Sequence, residues 1–202
     1  MTRQNKHLDK ITVLQIFTPD ECADIIKNAV NSWTEEEGMI GKEKEVSDQR
    51  NVTLFSPPPE TVMHSVWFQK IINTISNTIV SFNNDKDGYG FDIIGMAETP
   101  YVMRYMAPDI NPNKKAGKYD WHMDVGVSSI PSMRKLSYSI FLNVGEYEGG
   151  ELEFHVGPDT ESPSQTLGSM VLFPSYLIHR VPPITKGIRY AIVGWMHGDS
   201  FR

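Results

Sequence analysis

Apolar and polar positions along the chain fall into two regimes. In the first, Ile11 to Phe17 alternates loosely and predicts a strand. Thr18-Pro19-Asp20-Glu21 then predicts a helix start. Thr18 can cap, Pro19 suits a first-turn position that needs no N–H, and Glu21 sits where a capping box needs it. This helix should run to about Asn31, with Cys22, Ile25, Ile26 and Ala29 on one face. Thr34 to Lys44 is charged, contains Gly38 and Gly41, and reads as a loop. Arg50 to Phe55 reads as a short strand, ended by Pro57-Pro58-Pro59. A second helix follows from about Glu60 to Phe82, striped by Val62, Phe68, Ile71, Ile72, Ile75 and Ile79.

Beyond Asn83-Asn84-Asp85 the period shortens. Strand-like runs recur between Gly, Pro and Asp punctuation: Phe91–Ala97, Thr99–Met106, Tyr119–Asp124, Lys135–Asn143, Glu151–Val156, Thr166–Phe173, His179–Pro182 and Ile188–His197. Short strands at this density predict a sandwich or jelly roll, with the two helices covering one face.

Composition changes the picture little. A chain of 202 residues with 40% hydrophobic and 22% charged residues is ordinary globular usage, which argues against disorder and collagen-like or coiled-coil architectures. The expectation is one domain, 1–202, with a helical support region at 1–85 and a jelly-roll core at 86–202. The formal charge of −6 gives no basic footprint, so no nucleic-acid partner is expected. Cys22 is the only cysteine, which excludes an intrachain disulfide and a structural zinc–thiolate site. No apolar run approaches a membrane span, and Met1 to Lys10 lacks the apolar core of a secretory signal. The expectation is a cytoplasmic location and no membrane partner. No sequence feature sets an oligomeric state.

Three positions could carry chemistry. In a strand, His122 and Asp124 point the same way, placing an imidazole and a carboxylate side by side. His179 follows several strands later, a separation that can return it beside His122 in an antiparallel structure. Two imidazoles and one carboxylate suit Fe(II), because they leave positions open for a cosubstrate and O₂. Arg189, on the next strand, shares a face with Ala191, Val193 and Trp195. An arginine entering such an apolar pocket needs an anionic partner, and its fork fits a carboxylate. Taken singly, each has an ordinary reading: a hydrogen-bonded strand end, a core or turn histidine, an exposed strand arginine.

Together, His122-x-Asp124, His179 and Arg189 resemble the 2-oxoglutarate- and Fe(II)-dependent dioxygenases, especially small bacterial and phage-type members of the prolyl 4-hydroxylase superfamily. Leu142-Asn143 followed by Tyr147-Glu148-Gly149-Gly150-Glu151-Leu152 resembles the family's hairpin. Gly168 to Ser175, leading to His179-Arg180-Val181, resembles the strand that delivers the distal ligand. Gly187-Ile188-Arg189-Tyr190-Ala191 with Trp195 resembles the cosubstrate-arginine strand. The resemblance spans about residues 99–197.

It implies a mainly β fold with α elements, a double-stranded β-helix (jelly roll) with N-terminal helices packed on one sheet. It implies Fe(II) bound by His122, Asp124 and His179. The cosubstrate 2-oxoglutarate would meet Arg189 through its distal carboxylate, with Tyr105 lining the pocket. O₂ is the co-reactant, and ascorbate an accessory reductant. The implied reaction hydroxylates prolyl residues in a peptide or protein while 2-oxoglutarate yields succinate and CO₂. A free amino acid or other small molecule is the alternative substrate. A carboxylate at Asp124 fills the place a related halogenase leaves for halide, which favours hydroxylation. A non-catalytic jelly-roll binding or virion-associated module has no need of all four residues, and a metal-dependent hydrolase has no use for Arg189.

Two positions depart from relatives. Phe141 replaces a tyrosine and Val193 a threonine, so cosubstrate hydrogen bonding must shift, with Tyr105, Ser137 and Ser139 the candidates. The loop from Ala107 to Lys118 and the stretch from Thr34 to Arg50 are candidate lids or plain surface loops. Trp121 and Met123 should face away from the metal, Arg180 fits either a substrate contact or the surface, and His155 and His197 should lie outside the ligand set.

Overall fold

The structure is a computed structural model, described for residues 10–38, 49–112, 115–127 and 129–200. Its strands are β1 Thr12–Gln15, β2 Thr34–Glu37, β3 Arg50–Asn51, β4 Thr53–Ser56, β5 Tyr101–Met106, β6 Lys118–His122, β7 Arg134–Phe141, β8 Tyr147–Gly149, β9 Glu153–Val156, β10 Asp159–Glu161, β11 Ser169–Pro174, β12 His179–Val181 and β13 Ile184–His197. The α-helices are α1 Pro19–Ser32, α2 Pro59–His64 and α3 Val66–Asn84.

The strands form two antiparallel sheets. The major sheet runs β1-β11-β7-β13-β5-β4-β2, with β8 pairing to β13, and the minor sheet runs β10-β9-β12-β6-β3. The two form a double-stranded β-helix, a jelly roll with the helices packed on one sheet. The sequence accounts for this layering. Strand β11 reads as a near-continuous apolar run, and β7 is buried from Lys135 onward although Ser137 and Ser139 alternate with its apolar residues, because both strands are covered on both faces. Ile140, Met170, Leu172 and Ile192 join one cluster with Ile25 and Ala29 of α1 and Ile71, Ile75 and Ile79 of α3. The alternate residues Phe141, Val171 and Phe173 join a second cluster with Phe154 and Val181 of the minor sheet. The site lies in this second layer, between the sheets.

The start of α1 is as predicted: the Thr18 hydroxyl accepts from the Glu21 N–H, and the Glu21 carboxylate accepts from the Thr18 N–H at 3.0 Å. Several expectations are corrected. The region up to residue 85 is more than helical support, because it contributes β1–β4 to both sheets. Thr34–Glu37 is a strand, not a loop, because it pairs with β4 although all four side chains are exposed. Residues 39–48, the rest of that stretch, lie outside the described residues. Arg50–Phe55 is two strands, since the chain passes from the minor sheet to the major one at Val52. The second helix breaks at Ser65, which is extended and caps α3 by accepting from the Phe68 N–H. Phe91–Ala97 makes only a bridge, Gly95 to His197. Lys186-Gly187 is no turn: β13 runs through it with a register shift, and Gly187 takes φ +74°. Among the described residues, no helix is long and apolar enough to cross a membrane.

Candidate metal centre and cosubstrate pocket

His122 ends β6 and His179 begins β12, and the two are directly opposed across the minor sheet. Asp124 lies two residues past the end of β6, so strand alternation does not aim it. Its backbone does: the Asp124 N–H donates to the Ser175 carbonyl at 3.0 Å, and Arg134 Nη1 donates to the Asp124 carbonyl at 3.0 Å. The carboxylate then stands 3.7 Å from His122 Nε2 and 3.6 Å from His179 Nε2. One ligand atom from each residue lies within 4.8 Å of the others, a group able to hold a metal ion.

Both rings are oriented by their own chain. His122 Nδ1 is 2.7 Å from the Asp120 carbonyl, and His179 Nδ1 is 2.9 Å from the Leu177 carbonyl. A carbonyl only accepts, so each Nδ1 carries a proton and each Nε2 is turned towards Asp124. Burial, and then His179 beside it, push His122 down to about 4, so it is neutral at pH 7 and the close approach to Asp124 is no ion pair. Burial raises the Asp124 carboxyl, but the two imidazoles and hydrogen bonds from Ser137 and Trp195 outweigh it and hold the group below its usual range. The result is a carboxylate oxygen and two imidazole nitrogens around one point, the donor set Fe(II) takes.

Ser137 lies beside Asp124 and helps to lower its carboxyl. Its Oγ also lies 2.9 Å from Ser175 Oγ. Ser137 is the donor of that hydrogen bond. Beside it, Arg134 forks onto Glu98 with two 2.6 Å contacts and lies 3.5 Å from the Trp195 ring centroid. His197 Nδ1 accepts from the Ala97 N–H, so its Nε2–H donates to Glu98 at 3.0 Å. Burial pushes the Glu98 carboxyl up, yet Arg134 and His197 bring it below the ordinary carboxylate value.

Arg189 pairs across the major sheet with Tyr105 and is 1% exposed. Its guanidinium carbon is 5.0 Å from the Tyr105 ring centroid and 5.4 Å from that of Phe141. Its Nε and Nη2 have no hydrogen-bond partner among the described residues. One cavity is lined by His122, Asp124, His179, Tyr105 and Trp195, while Arg189 lies behind Tyr105 rather than on the wall. The other residues singled out in the sequence divide. Ser139 and Val193 line the cavity. Trp121 turns away, towards His155 and Arg180, and Arg180 pairs with Glu153 at 2.6 Å. Met123 instead sits on the cavity rim, half exposed, because β6 has already ended. Tyr101, Tyr119 and Arg50 also line the cavity. No sequence motif singled them out, and Arg50 lies on a strand far upstream.

The family model described as the 2OG-Fe(II) oxygenase superfamily covers the stretch that holds the four candidate residues. Residues 103–197 match the 2OG-Fe(II) oxygenase superfamily. That superfamily uses Fe(II), 2-oxoglutarate and O₂. The resemblance read from the motifs is thereby borne out. Among curated relatives, a PKHD-type hydroxylase of Hyphomonas neptunium is 37% identical over 98 residues, 46% of this chain and 44% of the relative. The chain thus spans less than half the length of the curated relatives it matches. Among solved structures, a prolyl hydroxylase in complex with a hypoxia inducible factor oxygen degradation domain peptide fragment, from Trichoplax adhaerens, gives a TM-score of 0.71 at 17% identity, covering 93% of this chain and 83% of that one. A Pseudomonas putida prolyl-4-hydroxylase gives 0.65 at 15% identity, covering 94% and 92%. At these identities the structures establish the fold alone.

Proposed function

We propose that the protein is a 2-oxoglutarate- and Fe(II)-dependent dioxygenase that hydroxylates prolyl residues in a peptide or protein. The observation that carries the oxygenase reading is the pairing of two unmatched features around Tyr105. On one side stand two imidazoles and a carboxylate with their donor atoms converging. On the other is a buried guanidinium with two unpartnered nitrogens. A buried charge without a partner is costly, and a carboxylate from a cosubstrate is the partner its fork fits.

In this reading His122, Asp124 and His179 hold Fe(II), and Arg189 receives the distal carboxylate of 2-oxoglutarate, which meets Tyr105 first. Fe(II), 2-oxoglutarate and O₂ together supply the oxidising power, yielding succinate, CO₂ and a hydroxylated product. The chain's own contribution is positional. The Asp120 and Leu177 carbonyls fix the two imidazole tautomers. His179 and His122, and after them Ser137 and Trp195, hold the Asp124 carboxyl below its usual range. Phe141 packs an apolar wall where a hydroxyl would otherwise help, leaving Arg189 and Tyr105 to hold the carboxylate. Because β1–β4 are strands of the same two sheets, the N-terminal region and the jelly roll act as one catalytic unit.

The prolyl choice is supported by the relatives, two of which are named as prolyl hydroxylases, one of them in complex with a peptide. The test is succinate formation and product mass across proline-containing peptides and free amino acids. The proposal expects one added oxygen on a peptidyl proline. Turnover confined to free amino acids or other small molecules would replace the peptide substrate, and no 2-oxoglutarate turnover with any compound would remove the oxygenase reading.

A further inference from the structure

The minor sheet carries an irregularity beside the proposed metal site. Across β12 and β6, His179 opposes His122 but Val181 opposes Tyr119, so β6 holds one more residue than its partner between the two pairs. That extra residue is a β-bulge. Without it, positions 119 and 122 would point to opposite faces of the sheet. With it, the Tyr119 and His122 rings lie face to face, centroids 3.5 Å apart and planes 10° apart. Asp120, within the bulge, turns its carbonyl to His122 Nδ1 and takes the Trp121 N–H on its side chain at 2.9 Å.

A second layer comes from the N-terminal region. Arg50 of β3 is the direct cross-strand partner of Tyr119, and its guanidinium carbon lies 4.7 Å from the Tyr119 ring centroid. A ring at 3.5 Å fills one face of Tyr119, so Arg50 occupies the other. The order is guanidinium, phenol, imidazole, and then the second imidazole, whose ring is 4.2 Å from that of His122.

We infer that Tyr119, backed by Arg50, is a positioning residue that clamps the His122 ring in its metal-binding orientation. This rests on the metal reading proposed above and adds to it that β3, outside the 103–197 match, completes the centre. A single hydrogen bond at Nδ1 leaves an imidazole free to swing about that contact. A flat ring pressed on its face removes the swing. Outer-shell partners of this kind are worth about 10- to 100-fold in metal affinity. The clamp works through shape, so the phenol hydroxyl is dispensable and the flat ring is not.

The test titrates the full chain with Co(II) alone, without 2-oxoglutarate or substrate, and follows the visible absorption of the bound ion. Four proteins are compared with the parent: His179→Ala, Tyr119→Phe, Tyr119→Leu and Arg50→Met. The inference expects Tyr119→Phe to bind like the parent. It expects Tyr119→Leu, which fills the space without a flat face, to bind at least about 10-fold more weakly while still unfolding in one cooperative transition above the assay temperature. Arg50→Met should weaken binding less, in the same direction, and serves alone should Tyr119→Leu fail to fold. Parent-like binding by Tyr119→Leu overturns the clamp and leaves the metal reading standing. A loss in Tyr119→Phe equal to that in Tyr119→Leu overturns it too, since the hydroxyl would then be the active part. Parent-like binding by Arg50→Met overturns the role of β3. Absence of any Co(II) band in the parent, or its persistence in His179→Ala, defeats the metal reading itself.

Discussion

Replacing Arg189 with methionine separates two effects that usually travel together. The guanidinium is 1% exposed, and its Nε and Nη2 have no partner among the described residues. Leaving a buried donor unpaired costs about 1–3 kcal/mol, and there are two. Against this, methionine gives up ring contacts with Tyr105 and Phe141, each worth about 0.5–2 kcal/mol. The balance for the free protein is a gain of about 1 kcal/mol. At this chain length that gain raises the melting temperature by about 2–4 °C. Cosubstrate binding moves the other way. Two charge-assisted hydrogen bonds to a carboxylate are worth about 1.5–3 kcal/mol each. Their loss weakens 2-oxoglutarate by about 10²- to 10⁴-fold. The assay is thermal unfolding of the metal-free protein, together with calorimetric titration of 2-oxoglutarate into the Mn(II)-loaded protein. A variant that melts several degrees lower would mean the guanidinium is already paired in the free protein. Unchanged 2-oxoglutarate affinity would mean that the distal carboxylate is held elsewhere. Either result refutes the reasoning.

Other outcomes follow from the same structure. Ser137→Ala removes a donor to Asp124 and should weaken Co(II) binding by about 10-fold; equal affinity would show that Trp195 suffices alone. Thr18→Ala breaks the capping box of α1 and should cost about 1 kcal/mol in urea unfolding, with Co(II) affinity unchanged. In the metal-free protein, burial and His179 push His122 down to about 4, whereas the unfolded chain protonates it near 6.5, so the unfolded state binds more protons between these values. Stability should therefore fall as pH drops from about 6.5 towards about 4, and His179→Ala should flatten the fall. Urea midpoints for parent and variant at about pH 7 and about pH 5 would show no such difference if His122 were protonated in the fold.

The four residues that define the proposed chemistry were legible because their types are rare in those settings and their order is fixed along the chain. His122, Asp124 and His179 do converge, and Arg189 is buried as its apolar face demanded. What stayed hidden depends on long-range pairing or local irregularity. Thr34–Glu37 carries no apolar face, and only its hydrogen bonds to β4 make it a strand. Asp124 is aimed by Ser175 and Arg134, not by strand geometry. Tyr119 escaped because three residues' separation in a strand normally means opposite faces, and no composition signal marks the bulge that reverses this. Arg50 escaped because the switch between sheets at Val52 has no local marker.

The central claim is that His122, Asp124, His179 and Arg189 together form one centre for Fe(II) and 2-oxoglutarate. Its most direct test is the visible absorption of the full chain mixed anaerobically with Fe(II) and 2-oxoglutarate, with no substrate present. The account predicts a weak visible charge-transfer band in the parent, lost in His179→Ala and recovered in Arg189→Met only at far higher 2-oxoglutarate. No band in the parent, or the same band in His179→Ala, would contradict it.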